Sequence, residues 1–149
     1  MKYGLIFIFA PLLVSISTLT CAGSTPEGTW ASFNDDHTNV QAWVRIDNKD
    51  GFLEGHVVKI LDPNASSDEI CKRCKGSKKN LPILGLKIIE GISSTPIKKN
   101  IWTGGLILDP ESGDEYKLYI SINENGRELF VRGYWGIFWR EQRWSRISE

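Results

Sequence analysis

The sequence is poor in the residues from which catalytic sites are usually built. It contains two histidines, three cysteines and one methionine in 149 residues. It has no Gly-x-Ser-x-Gly motif of the kind that presents a nucleophilic serine, and two histidines offer little choice of general base. The acidic residues Asp35-Asp36 and Glu111 with Asp114 resemble turn acids, and their positions indicate no catalytic pair. We therefore expect no catalytic residues and no enzymatic activity.

The ligand types for a metal site are equally scarce. His37 and His56 are the two imidazoles, and Cys71 with Cys74 forms the single Cys-x-x-Cys motif. A structural zinc site normally pairs two close-spaced sets of ligands, of which one is present here. The sequence therefore predicts no metal site, and it contains no motif that indicates another cofactor.

Charge of one sign is not in excess either. The chain has 18 Lys and Arg against 18 Asp and Glu, for a formal net charge of zero. A nucleic-acid-binding domain usually has a clearly basic face. The C-terminal rings are interleaved with arginines, but strand alternation places several of these rings in a core rather than on a recognition surface. We expect no nucleic-acid partner.

A single long apolar run is present, from Leu5 to Val14, after Lys2. It is shorter than the roughly 20 residues that span a membrane, it contains Pro11, and no basic stop-transfer cluster follows it. This pattern is typical of a secretory signal peptide.

We assign residues 1–24 to the predicted signal peptide and residues 25–149 to a single domain with no transmembrane segment. The expected location is periplasmic or secreted. Cys21, at the end of the apolar run, gives the alternative of a lipid-anchored protein.

Short alternating segments dominate the rest of the chain. Apolar residues recur at every second position from Val40 to Ile46 and from Tyr116 to Ile122, which is the period of a strand. Turns rich in Asn, Asp and Gly follow both segments. Further strands are expected at Gly28 to Phe33, Leu84 to Ile89, Trp102 to Leu108 and Gln142 to Ile147. About eight such strands predict an all-β domain, an antiparallel up-and-down β-barrel or a sandwich.

One long loop, residues 62–81, interrupts this pattern. Ser66 and Glu69 have the spacing of a helix capping box, and basic residues follow, so we predict one short helix in the loop. Cys71 and Cys74 are expected to form a disulfide if the protein is exported. The alternative is a Cys-x-x-Cys thiol-disulfide redox pair.

Two terminal motifs resemble those of lipocalin-like barrels: Gly28-Thr29-Trp30 in the first strand and Arg143-Trp144-Ser145-Arg146 in the last. A broader likeness covers nearly the whole mature chain. Its segments are Pro26 to Trp30, Asp50-Gly51 with Leu53 to Gly55, Lys59 to Pro63, Cys71 to Cys74, Pro82 to Leu86, Gly105 to Pro110 and Val131 to Tyr134. Together they resemble the exported bacterial family called domain of unknown function 2147 (DUF2147).

The resemblance implies a periplasmic or secreted lipocalin-like barrel with no established activity. It also implies a structural pair at the closed end of the barrel, in which Arg146 packs across Trp30. One departure is visible: Trp139 to Trp144 is bulkier and more charged than the family's usual final segment, so a site at the barrel end would be altered.

The first functional hypothesis is a non-enzymatic barrel that binds a small apolar or amphiphilic ligand. We choose large rings on predicted strands or loop ends as its lining: Trp102, Tyr116, Trp135, Phe138 and Trp139. One alternative is an envelope protein-protein interaction module that binds its partner through the basic loop from Cys71 to Lys79 or through exposed rings. The other is a redox accessory that uses Cys71 and Cys74.

Overall fold

The computed structural model describes residues 24–34 and 36–149. The predicted signal peptide, apart from Ser24, lies outside the described residues, and so does Cys21. Eight antiparallel strands form a closed barrel in which every strand pairs with its chain neighbours and the last strand returns to the first. The strands are β1 (Gly28–Phe33), β2 (Val40–Lys49), β3 (Phe52–Ile60), β4 (Lys87–Ser93), β5 (Ile101–Asp109), β6 (Asp114–Ile122), β7 (Glu128–Trp135) and β8 (Phe138–Ser148). The predicted up-and-down barrel is confirmed, and the sandwich is not what forms.

The alternation in β2 has the predicted consequence. Val44 and Ile46 are buried inside the barrel, whereas Asp47 at the next position is exposed. The predicted hairpin to β3 turns at Asp50 and Gly51, whose φ angles of 53° and 86° both lie in the left-handed region. Asp and Gly tolerate that conformation better than other residues, so the local sequence fixes the register of this hairpin.

Two strand boundaries differ from the sequence-based expectation. The segment from Leu84, predicted as a strand, begins with a turn: the amide of Leu86 donates to the carbonyl oxygen of Ile83 (3.0 Å), and β4 starts only at Lys87. The last strand starts at Phe138, four residues before the predicted Gln142. It starts early because Gly136, with a φ of 61°, closes a tight hairpin with β7.

The predicted short helix in the long loop is misplaced. The described residues contain one short helical segment, a single 3-10 turn at Gly76–Lys78, later than the expected start at Ser66. The backbone of the Cys71 region bonds across the loop instead: the amide of Cys71 donates to the carbonyl of Leu81 (2.8 Å), and Asn80 donates to the carbonyl of Cys71 (3.0 Å). These bonds satisfy the groups that a helix would have used, so tertiary pairing overrides the capping pattern.

The barrel has two unlike ends. We call the end with the start of β1, the end of β8 and the turns 50–51 and 123–127 the closed end. The opposite end holds the long loop 61–86 and the turns 110–113 and 136–137, and we call it the open end. No helix in the described part of the chain is long and apolar enough to cross a membrane.

Candidate functional site

Arg146 ties the closed end together. Its guanidinium carbon lies 4.1 Å from the centre of the Trp30 ring. Its three nitrogens donate to backbone carbonyl oxygens: Nε to Gly126 (2.6 Å), Nη1 to Glu27 (2.8 Å) and Nη2 to Thr25 (2.6 Å). Burial lowers the pKa of Arg146 from its ordinary value, but an arginine stays protonated in any case. Arg146 is therefore stacked on Trp30 and held there by hydrogen bonds to the backbone of other residues.

Glycine at position 28 makes room for this contact. A Cβ there would stand 2.6 Å from Nη1 of Arg146 and 2.7 Å from the carbonyl oxygen of Ser148, and the φ of Gly28 is 131°. A side chain would thus meet both a steric and a conformational penalty. The Gly-x-Trp motif has a structural reason, because the glycine admits the arginine that covers the tryptophan.

The open half of the barrel contains a cavity of about 710 Å³. This volume is within the usual range of sites for small organic ligands. Its apolar wall includes Val44, Val57, Ile107, Val131 and Trp144. Of these, Val44 is the cross-strand partner of Trp30, so the packed closed end begins where the cavity ends.

Two polar side chains interrupt the apolar wall. Gln142 lines the cavity, and its Oε1 accepts a hydrogen bond from Nε1 of Trp144 (3.1 Å). Ser32 also lines it and donates its hydroxyl to the carbonyl oxygen of Ala42 (3.2 Å). The Gln142 amide nitrogen has no hydrogen-bond partner among the described residues, which makes it a donor that faces the cavity.

The rim of the cavity is acidic. Five carboxylate residues lie among its lining, which we call the acidic rim: Asp36, Asp62, Glu69, Asp109 and Glu111. Arg140 is the lining cation. Hydrogen bonds from the hydroxyl of Thr38, and then from its amide, lower the pKa of Asp36 below its ordinary value. This carboxyl therefore stays ionised at neutral pH.

Two of the five predicted lining rings lie at the cavity, namely Tyr116 and Trp135, with ring centroids 5.5 Å apart. The choice of the other three is corrected. Trp102 is 4% exposed, and its Nε1 donates to the carbonyl of Ser94 (3.0 Å) in the packed closed half. Phe138 and Trp139 are 60% and 54% exposed and lie outside the lining.

The exposed rings have other contacts. Phe138 stacks on Trp135 with centroids 6.1 Å apart. Trp139 lies under the guanidinium of Arg132 at 4.4 Å, and Arg132 forms an ion pair with Glu141 across β7 and β8 (2.7 Å). Trp139 therefore belongs to the outer wall of the barrel, because residues 139 and 140 point to opposite faces of the same strand.

The long loop is fixed to the barrel and does not present a reactive thiol. Cys71 and Cys74 are disulfide-bonded, with Cα atoms 5.4 Å apart, and are 0% and 2% exposed. They share a packed cluster with Leu108 of β5. Lys78 of the loop reaches Glu90 (2.7 Å) and Glu115 (2.9 Å) on the barrel. A redox-active cysteine is partly exposed in a basic environment, so this burial favours a structural disulfide.

Metal ligands do not converge in the described residues: no group of three or more His, Cys, Asp or Glu side chains there could hold an ion. His37, with a φ of 57°, lies in the turn after β1, and His56 lies on β3.

Sequence reasoning missed the polar residues of the cavity. Arg140 and Gln142 could have been found from the parity of β8, because they alternate with Glu141 and share a face with the buried Trp144. The acidic rim comes from three separate segments: the turn after β1, the long loop, and the end of β5 with the turn that follows it. Nothing in the spacing of Glu69 and Glu111 indicates that they meet the other members.

Comparisons with known proteins agree with this architecture. No curated protein matches the chain. A solved structure described as protein HP1028 from the human pathogen Helicobacter pylori, which belongs to the lipocalin family, is 17% identical and covers 83% of each chain with a TM-score of 0.68. At this identity the likeness establishes the fold, which is lipocalin-like.

The model of the family described as "Uncharacterized protein conserved in bacteria (DUF2147)" matches residues 28–146. The match begins at Gly28 and ends at Arg146, the two residues that contact each other at the closed end. Because it covers most of the 149 residues, the resemblance drawn from the sequence is confirmed. The chain belongs to the DUF2147 family.

Proposed function

We propose that this protein is a non-enzymatic binding protein that holds a small apolar or amphiphilic ligand in the open-end cavity. The observation that carries this proposal is the contrast between an apolar wall and a polar rim in one cavity of about 710 Å³. Small barrels with this arrangement commonly enclose one ligand, since burying its apolar part contributes about 25 cal/mol per Å². The proposed location is the periplasm or the secreted fraction, as the sequence pattern suggests.

Native mass spectrometry of the protein purified without detergent tests the proposal. We expect a complex with a small molecule whose mass disappears after denaturation. As a matched pair of variants, Ile107→Trp places a larger ring in the cavity and obstructs it, whereas Leu106→Trp adds the same ring on the outer face of β5, beside Lys117. The first should lose the bound mass and the second should keep it. Equal retention in both variants would contradict a ligand in this cavity.

A second candidate function, binding of an envelope protein, is favoured by the tip of the β7–β8 hairpin. Ile137 is 89% exposed and lies between the exposed Trp135 and Phe138. Exposed apolar groups of this kind often mark contact surfaces. Ile137→Ser should then weaken capture of a partner in pull-downs, and unchanged capture would remove the tip from consideration.

The basic loop offers a separate test of the same candidate. Lys72, Arg73 and Lys79 are exposed, but Lys78 is engaged by Glu90 and Glu115. Charge reversal should therefore be confined to Lys72, Arg73 and Lys79, so that the ion pairs of the loop survive.

The redox alternative predicts reversible reduction of the disulfide in the folded protein, and resistance of the buried sulfurs to a mild thiol reductant would exclude it.

A further inference from the structure

The carboxylates of the acidic rim differ from those on the outer wall of the barrel. On the wall, Glu54 is within 2.7 Å of Lys87, and Glu141 is equally close to Arg132. In the part of the chain that the structure describes, none of the five rim carboxylates has a Lys or Arg nitrogen within 4.0 Å. None of the five is therefore in a direct ion pair with a described Lys or Arg, and they outnumber Arg140, the one lining cation among the described residues.

Turn hydrogen bonds hold three of these carboxylates in place. Oδ1 of Asp62 accepts from the amide of Asn64 (2.8 Å), and Oδ1 of Asp109 accepts from the amide of Glu111 (2.9 Å). Asp36 accepts from the amide of Thr38 (2.9 Å) in the same way. In Asp62 and Asp109 these bonds use Oδ1 and fix the side chain, while Oδ2 has no hydrogen-bond donor among the described residues.

The charge at the rim acts next to an apolar wall. Five carboxylates and one guanidinium line a cavity whose deeper part contains Val44, Val131 and Trp144. A low-dielectric wall focuses the field of charges at its edge, so a cation is attracted and an anion is repelled at this rim. An amphiphile whose apolar chain enters the cavity would place its head group at the rim, where this field acts.

Resting on the proposed function, we propose that the ligand is an amphiphile with a positively charged head group, such as an alkylammonium, whose apolar part lies in the cavity against Trp144 and whose head lies at the acidic rim. Lengthening the apolar part strengthens binding by burial, and the head group provides selectivity against fatty acids of the same length.

Isothermal titration calorimetry with decylammonium, decanol and decanoate at neutral pH tests this proposal. The three probes share one apolar chain and differ in the charge of the head group. We expect decylammonium to bind most tightly and decanoate most weakly. The difference should shrink as ionic strength rises from about 0.01 M to about 0.15 M, because salt screens exposed charges.

A double variant, Glu69→Gln with Glu111→Gln, removes two rim charges whose side chains have no hydrogen bond or ion pair with described residues. It should raise the Kd of decylammonium about fivefold, since an exposed charge pair contributes up to about 1 kcal/mol. The Kd of decanol should stay unchanged, and the Kd of decanoate should fall. Glu124→Gln removes an exposed charge at the closed end and serves as the matched control. The control variant should leave the Kd of all three probes unchanged.

The outcomes separate the two levels of the proposal. If all three probes bind and decanoate binds as well as decylammonium, or if the double variant changes nothing, the cationic head group is ruled out while the ligand-binding cavity stands. If no probe binds to the wild-type protein, both the proposed function and this inference fail.

Discussion

The two ends of the barrel are built on opposite principles. At the closed end, Trp30 is fully buried, its Nε1 donates to the carbonyl of Pro26 (2.8 Å), and Arg146 covers its ring. At the open end, Trp135 is 47% exposed, and none of the rim carboxylates has a Lys or Arg nitrogen of the described residues within 4.0 Å. A ring at one end is enclosed and hydrogen-bonded, whereas a ring at the other lies between the cavity and the surface.

This difference indicates a division of roles within a single sheet. The closed end stabilises the barrel, because a partly buried cation there stacks on Trp30 and makes three charge-assisted hydrogen bonds. The open end accepts unneutralised charge and exposed apolar surface, which contribute little to stability but suit recognition. Variants at the two ends should therefore differ in which property they change.

The largest effect is expected at the closed end. Arg146→Ala removes three hydrogen bonds from a charged donor and leaves the carbonyl oxygens of Gly126, Glu27 and Thr25 without that partner. The free energy of unfolding should fall by about 3 kcal/mol, measured by urea denaturation. Arg146→Lys keeps the charge without the planar fork and should recover only part of the loss. A loss below about 0.5 kcal/mol would contradict the proposed role of the closed end.

The disulfide of the long loop should have the next largest effect. Replacing Cys71 and Cys74 together by Ala should lower the free energy of unfolding by about 2 kcal/mol, as expected for a short closed loop. The same change should weaken probe binding, because the loop supplies Asp62 and Glu69 to the rim. Full stability combined with unchanged binding would show that the loop is held by its other contacts alone.

A substitution at the exposed tip of the open end should barely affect stability. Ile137→Ser replaces a side chain that is 89% exposed, so the free energy of unfolding should stay within about 0.5 kcal/mol of wild type. Thermal unfolding monitored by tryptophan fluorescence measures this directly. A larger loss would mean that the hairpin tip helps to stabilise the barrel, and it would contradict the claim that exposed groups at the open end contribute little to stability.

The smallest effect concerns pH at the outer wall. The hydrogen bond from Lys87 lowers the pKa of Glu54 below its ordinary value of 4.5. A carboxyl whose pKa is lower in the folded state stabilises the fold above its unfolded pKa, and this stabilisation is lost as pH falls through the folded pKa.

Glu54→Gln should therefore lower the urea midpoint slightly at neutral pH and match wild type in strong acid. Glu124 has no such ion pair among the described residues, so Glu124→Gln should have the urea midpoint of the wild type at every pH. A Glu54→Gln difference that persists unchanged in strong acid would contradict the linkage.

The sequence predicted the fold better than the site. Period-two alternation in β2 and the turn at Asp50 and Gly51 are local, so each can be interpreted without its neighbours. The helix prediction was misplaced because the backbone of Cys71 pairs with Leu81 and Asn80. That pairing depends on where a later part of the loop returns, which local sequence does not show. Ring size was a poor guide to the lining: Trp102 is large and lies on a strand, but it lies in the packed half of the barrel.

The acidic rim could not be predicted for a different reason. Asp62 and Asp109 follow similar Leu-Asp-Pro strand exits, which hints that both stand at one end of the barrel, but Glu69 and Glu111 have no comparable signal. Their convergence depends on how the long loop closes over the ends of the strands. Such closure is set by tertiary contacts rather than by local pattern.

The most direct test of the division between the two ends is a titration of the ¹⁵N-labelled protein with decylammonium, followed by amide and indole chemical shifts. We expect saturable shifts for residues of the open half, such as Ala42, Gly133 and the Trp135 indole. The indole signals of Trp30 and Trp102 should stay in place. Shifts centred on Trp30 and Trp102, or shifts spread evenly over the barrel without saturation, would contradict a binding site confined to the open end.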